Sequence, residues 1–208
     1  MKLYYTPGAC SLGVHIALEW AGVDYHTEAV PFADSRLKEI YPQGNGRVPI
    51  LDRQNGLPML TQAPAILRYI ADRFPAANIG SSDSVDEQAE INRWLVFLCA
   101  DLHPAFHPVF VGARYTADTG EHAVACVETA ARGLVRKELA VLDSHMQGRT
   151  YIVGDSATIV DAYVFPMLRW AQDKLPEQLG ETPNLQRLHD VLAADDAVKR
   201  VLKSEGLS

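Results

Sequence analysis

A chain of 208 residues can hold one large domain or two modest ones, and its 48% apolar and 22% charged residues are ordinary for a soluble globular protein. The net charge of −7 argues against a nucleic-acid surface and against anionic membranes. No apolar run approaches the ~18 residues of a bilayer span, Lys2 leads into strand and turn residues instead of a leader, and three widely spaced cysteines (Cys10, Cys99, Cys126) suit a reducing, cytoplasmic compartment.

The first elements come in quick alternation. Residues 2–6 are rich in strand formers, Pro7-Gly8 marks a turn, and a helix is predicted over 10–22. Cys10 thus stands at a helix N-terminus, where unpaired N–H groups and the macrodipole favour a thiolate, which predicts a thiol pKa well below its free value. The competing reading is a small, buried, inert cysteine. A strand over 25–31 and a poor helix over 34–41 follow, then a turn at Asn45-Gly46. In Gly46-Arg47-Val48-Pro49 the proline opens a strand at a place suited to a cis peptide, which would turn the Val48 N–H and C=O outward toward a peptide-like ligand.

Strands are predicted over 48–53 and 57–62, joined by a hairpin at Gln54-Asn55-Gly56. Helix 64–74 carries apolar Ala65, Ile66, Tyr69, Ile70 and Phe74 at three- and four-residue steps, and its start at Gln62-Ala63 can receive a carboxylate. This order suggests a mixed four-stranded sheet of thioredoxin type. Residues 75–86 are polar and turn-rich, dividing the chain into 1–76, a linker at 77–86, and 87–208.

The second part is expected to be all-α, with helices over 86–115, 119–147, 158–174 and 184–203. Val124, Val127, Ala131, Leu134, Leu142 and Met146 give one of them an apolar stripe. Thr158 and Asp161 form a capping box, a folding device. His103 and His107 have the four-residue spacing of a metal pair, but no carboxylate or cysteine is helpfully spaced and Pro104 and Pro108 disturb the helix, so no metal is expected. His103 reads better as pointing across a cleft toward the thiol. Cys99 and Cys126 lie in helical patterns with apolar neighbours and are expected to stay protonated. The position three after Cys10 is Gly13, so a Cys-x-x-Cys pair is absent and Cys10 must act alone or with an external thiol.

Four stretches carry a family resemblance: Tyr4-Tyr-Thr-Pro-Gly-Ala-Cys-Ser-Leu12, Gly46-Arg-Val-Pro49, Trp94 through His103, and Thr158-Ile-Val-Asp-Ala-Tyr163. With them the whole chain resembles a glutathione S-transferase, most similar to the bacterial beta class. The resemblance implies a thioredoxin-like N-terminal domain that binds glutathione as co-substrate, an all-α C-terminal domain, and a homodimer paired through the helix bearing Trp94 and His103. Glutathione would lie across the Arg47-Val48-Pro49 loop with its γ-glutamyl end at Gln62-Ala63. Cys10 and Ser11 would stand at its thiol and His103 on the far wall, facing a small hydrophobic electrophile. The chain departs from the family pattern at Gln62-Ala63 (usually acidic, then Ser or Gly), at Gln43-Gly44 (usually Asn-Pro), and at Val96 and Pro104 (often Asn and Lys). Two other readings stay open. One is glutathione-dependent thiol–disulfide exchange through a Cys10 mixed disulfide, the other a non-catalytic binding protein that has lost glutathione.

Overall fold

The structure is a computed structural model describing residues 1–32, 34–42, 46–80 and 82–207. Strands β1 (Lys2–Tyr5), β2 (His26–Ala29), β3 (Ile50–Asp52) and β4 (Leu60–Thr61) form one sheet in the order β2-β1-β3-β4. Helix α1 (Ser11–Trp20) makes the crossover that lets β1 and β2 run parallel, while β3 pairs antiparallel with both β1 and β4. The mixed thioredoxin-like sheet expected from the sequence is present. Its strands are shorter than predicted, and β3 begins only at Ile50 because Pro49 has no N–H to give a ladder.

Helices α2 (Arg36–Ile40) and α3 (Ala63–Arg73) complete this half. The buried seam of α3 is Ala63, Ile66, Leu67, Ile70 and Ala71, so the face is turned from the predicted one and Ala65 points to solvent. Val48–Pro49 is cis.

The second half is helical, as expected. The predicted helix 86–115 is a single run made of α4 (Val85–Phe97), a widened π turn (Leu98–Leu102), α5 (His103–Val111) and a 3₁₀ turn (Gly112–Tyr115). Pro104 and Pro108 have no N–H to donate, so an unbroken α ladder cannot pass them. Contrary to the sequence reading, Val85–Tyr115 is long and apolar enough by composition to cross a membrane, with a window of mean hydropathy 1.4. Trp94, Leu98, Leu102 and Phe106 within it are buried in the protein core.

In α6 (Glu121–His145) the buried face is Ala131, Val135, Leu139 and Leu142, while Leu134 is 53% exposed, which corrects the predicted stripe. Cys126 is likewise exposed, not packed among apolar neighbours. Helix α7 (Ile159–Lys174) runs through the centre, with every residue from Ile159 to Leu168 buried. Its start is the predicted capping box: Thr158 Oγ1 accepts the Val160 N–H at 3.2 Å, and the Asp161 carboxylate accepts the Thr158 N–H at 2.8 Å. The predicted helix 184–203 is two helices, α8 (Pro183–Ala194) and α9 (Asp196–Glu205). Asp195 breaks them by adopting an extended backbone and capping α9 through the Val198 N–H at 2.9 Å.

Candidate active site

The site begins where β1 turns into α1. Ser11 is fully buried, and its hydroxyl bridges the backbone of Thr6, accepting from its N–H and donating to its C=O at 3.2 Å each. That commits the hydroxyl to holding the turn. The turn is also clamped from the helical half: the Gly8 N–H donates to Glu205 Oε2 at 3.0 Å and Trp170 Nε1 donates to the Gly8 C=O at 2.8 Å. Glu205 is paired in turn with buried His15 at 2.8 Å. Gly13 lets α1 lie directly on α7, since a Cβ there would stand 2.7 Å from the Ala162 oxygen and 2.9 Å from the Tyr163 Cα.

Cys10 is half-buried at the N-cap of α1, and its Sγ lies 3.8 Å from the Val48 carbonyl oxygen, which it meets as an S–H donor. Burial pushes the Cys10 thiol up to about 12, with the neighbouring Cys99 adding to the rise. The backbone N–H groups of Cys10 and Ser11 and the Arg47 charge pull the other way and lose. Burial thus opposes the lowered thiol pKa read from the sequence: the helix N-terminus is present, but desolvation of a thiolate works against it.

The cis loop lies beside this thiol. Ile50 pairs with Thr61 and Leu51 with Leu60, so Val48-Pro49, just before β3, and Gln62-Ala63, just after β4, lie at the same end of this strand pair. Gln62 holds φ 70° and ψ 110°, a left-handed setting that a side chain adopts at a cost, and α3 starts there with no side-chain cap. The start of α3 thus offers backbone N–H groups free of a side-chain acceptor next to the Val48 loop. Asn45 and Gln43-Gly44 lie outside the described residues.

On the helical side of this turn, where Trp170 reaches Gly8, stands an aromatic cluster. His103 Nδ1 is 3.2 Å from the Tyr163 hydroxyl, and the His103 ring lies 4.9 Å from His107 and 5.1 Å from Trp170 between centroids. Phe106 and Phe110 each pack edge-on against Trp170, and Phe110 remains 40% exposed. Burial, then the His107 and Arg47 charges, lower His103 to about 4, so it is a neutral imidazole near pH 7.

Two family models match the chain: the glutathione S-transferase N-terminal domain over residues 8–73 and the C-terminal domain over 98–196. Glutathione S-transferase GST-4.5 of Xanthomonas campestris pv. campestris is 38% identical over 210 residues, covering both chains completely. The chain belongs to the glutathione S-transferase family. Among solved structures, a bacterial beta class glutathione S-transferase of Sphingomonas chungbukensis is 31% identical with a TM-score of 0.86. A sphingomonad glutathione S-transferase complexed with glutathione is 32% identical with a TM-score of 0.85. Each covers 100% of both chains.

In this transferase fold Cys10 meets Val48; Pro49, Gln62 and Ala63 lie at the same end of the sheet; and His103 sits on the helical side with its ring nitrogen turned to Tyr163. Arg47 is exposed, and its charge acts on Cys10, His103 and His107 alike. Sequence reasoning missed Tyr163, Trp170 and Glu205, which reach this turn from far along the chain. The only available signal was the tyrosine two residues beyond the capping-box aspartate. Two surface hollows of about 400 Å³ each, along residues 147–155 and beside Glu87, Glu90 and His145, include no residue of this site. Among the described residues no group of three His, Cys, Asp or Glu side chains could hold a metal.

Proposed function

We propose that the protein conjugates glutathione to small hydrophobic electrophiles, a detoxifying reaction, as a cytoplasmic homodimer. The observation that carries this reading is the presence of three features at one end of the sheet. These are the half-buried Cys10 thiol, the cis Val48–Pro49 loop, and the uncapped start of α3 at strained Gln62. The first half of the chain, 1–76, would hold glutathione, with main-chain bonds at Val48 and the γ-glutamyl end at Gln62-Ala63. Arg47 and Pro49 would shape that loop. Cys10 would stand beside the glutathione sulfur, Ser11 would position it through Thr6, and neutral His103 would present a polar group on the aromatic wall that receives the electrophile. The glutathione complex of the sphingomonad relative supports the choice of co-substrate.

Calorimetric titration with glutathione, followed by conjugation to an aromatic electrophile, tests the reading; absence of heat at millimolar glutathione removes it. The weak point of the site gives a sharper test. Gln62 offers a neutral acceptor where a carboxylate would form a charge-assisted bond. Gln62→Glu is therefore expected to tighten glutathione about ten-fold, the difference between a charged and a neutral hydrogen bond. Unchanged or weaker binding would mean the γ-glutamyl end docks elsewhere.

The dimer rests on α4, where Val96 is 61% exposed beside buried Trp94 and Leu95. Sedimentation at micromolar concentration is expected to give a dimer, and Val96→Glu a shift toward monomer. A wild-type monomer would count against pairing through this helix.

A further inference from the structure

The three cysteines of the chain sit in three different settings. Cys10 donates its S–H to the Val48 carbonyl, which cannot take the proton and so holds the neutral thiol. Cys99 is half-buried in the π turn and packs against the core. Cys126 is exposed, and its Sγ lies 3.7 Å from Nε2 of His122. An imidazole nitrogen is a different kind of acceptor: it can remove the proton and then donate an N–H back to the thiolate.

The helix builds this pair from its own geometry. Side chains on a helix lean toward its N-terminus, so Cys126 reaches back over the residue four before it. The first turns of α6 are well fixed: the Val124 N–H donates to the Gly120 C=O at 3.1 Å, and the Gly120 N–H to Asp118 Oδ1 at 2.9 Å. Their opposite face packs on the 3₁₀ turn after α5, where a Cβ on Gly112 would stand 2.9 Å from Glu128 Cγ and 3.2 Å from Val124 Cγ1. Glu128 is itself engaged by Arg132 at 3.3 Å. His122 and Cys126 are thus turned to solvent together. The other positions three and four from Cys126 are Ala123, Thr129 and Ala130, so no carboxylate on that face of the helix opposes a thiolate.

We infer that Cys126 and His122 form a nucleophile–base pair, a surface modification site at which a small disulfide such as glutathione disulfide converts Cys126 to a mixed disulfide. The Cys126 proton passes to His122 Nε2, and the Cys126 sulfur attacks one sulfur of the disulfide in line with its S–S bond. A bond from Cys126 to that sulfur forms and the old S–S bond breaks. The other sulfur leaves with the electron pair and takes the proton back from His122. Cys126 is oxidised to half of a new disulfide, and the departing half of the old one is reduced to a thiol. With glutathione disulfide the products are glutathionylated Cys126 and one glutathione. In-line attack needs open space around the sulfur, which exposed Cys126 has and a half-buried thiol restricts. The site stands apart from the sheet end that carries the glutathione reading and requires no dock there.

The test uses the full chain with a chelator present to remove trace metal. A free thiol is about one-tenth thiolate at pH 7.5, so a neighbour that takes the proton raises the reactive form by up to about ten-fold. With glutathione disulfide at that pH, intact mass is expected to show one glutathione per chain, reversed by reductant, and peptide mapping to place it on Cys126. N-Acetylcysteine in the same solution is the reference, and Cys126 is expected to react about ten-fold faster. His122→Gln keeps a polar helix former but removes the proton acceptor, and should bring Cys126 down to the reference rate. Cys126→Ser should stay free of glutathione over the same period.

An adduct that forms first on Cys10 or Cys99 overturns the proposal, and so does a Cys126 no faster than N-acetylcysteine. An unchanged rate in His122→Gln assigns the reactivity to exposure alone and overturns the pair. The comparison with N-acetylcysteine decides the matter in wild type should that variant not fold. Calorimetry with reduced glutathione judges the conjugating site independently.

Discussion

Asp161→Ala is expected to cost about 3–5 kcal/mol of stability, the sum of two to three broken hydrogen bonds and the backbone donors they leave buried. The Asp161 carboxylate is fully buried and accepts the N–H groups of Ile152 at 3.0 Å and Thr158 at 2.8 Å, together with the Thr158 hydroxyl at 3.0 Å. It thereby ties the loop before α7 to the first turn of the helix that carries Tyr163 and Trp170. Urea denaturation checks the magnitude; a loss under 1 kcal/mol would mean that water or relaxed backbone replaces the carboxylate.

The same residue gives a pH signature. Burial raises Asp161 from 3.8 to about 6, so the folded state binds a proton that the unfolded chain does not, and this contribution declines as pH rises from about 4 to 6. His103 has the opposite sign. Its folded value of about 4 lies below 6.5, so its contribution is lost as pH falls through that window. In Asp161→Asn the first of these is gone, and stability is expected to fall more steeply on acidification from pH 6 to 4 than in wild type. Parallel profiles would show that the carboxyl titrates alike in folded and unfolded chains.

Cys10 is expected to react with iodoacetamide about a thousand-fold more slowly than a free thiol at pH 7.5. The rise from 9.0 to about 12 lowers its thiolate fraction by that factor. Its rate should climb about ten-fold per pH unit until the fold gives way, since between about 9 and 12 the unfolded chain sheds a proton that the folded one keeps. On this reading Cys10 neighbours the glutathione sulfur as a protonated thiol, and the attacking group of the proposed conjugation is glutathione itself. Cys10→Ala is therefore expected to keep conjugating activity within about ten-fold. Fast labelling at neutral pH would restore the thiolate reading, and a Cys10→Ala variant without conjugating activity would make the thiol essential to the reaction.

The opposite expectation for Cys10 shows where sequence reasoning stops. The strand, the Pro7-Gly8 turn and the helix start are local, and they place the thiol at a positive helix end. Whether a charge is tolerated there depends on what covers it. Part of that cover is Val48, 38 positions along the chain, whose carbonyl meets the thiol at 3.8 Å, and the rest is the core against which Cys10 packs. Ser11 teaches the same lesson: its place beside the thiol was visible, but not that Thr6 takes both functions of its hydroxyl. The faces of α3 and α6 were misjudged for a related reason. Periodicity finds an apolar stripe, while the neighbour against which a helix packs selects Ala131 and Val135 over Leu134.

The sequence by itself determined the order of strands and helices, the cis-proline loop, the capping box and the family, because each is written in turn chemistry, in spacing, or in short contiguous motifs. Only the tertiary structure decided the desolvation of Cys10, the neutrality of His103 and the meeting of His103 with Tyr163. Desolvation and proximity are properties of the space between elements, and that space exists only once α1, the π turn and α7 have packed around Tyr163.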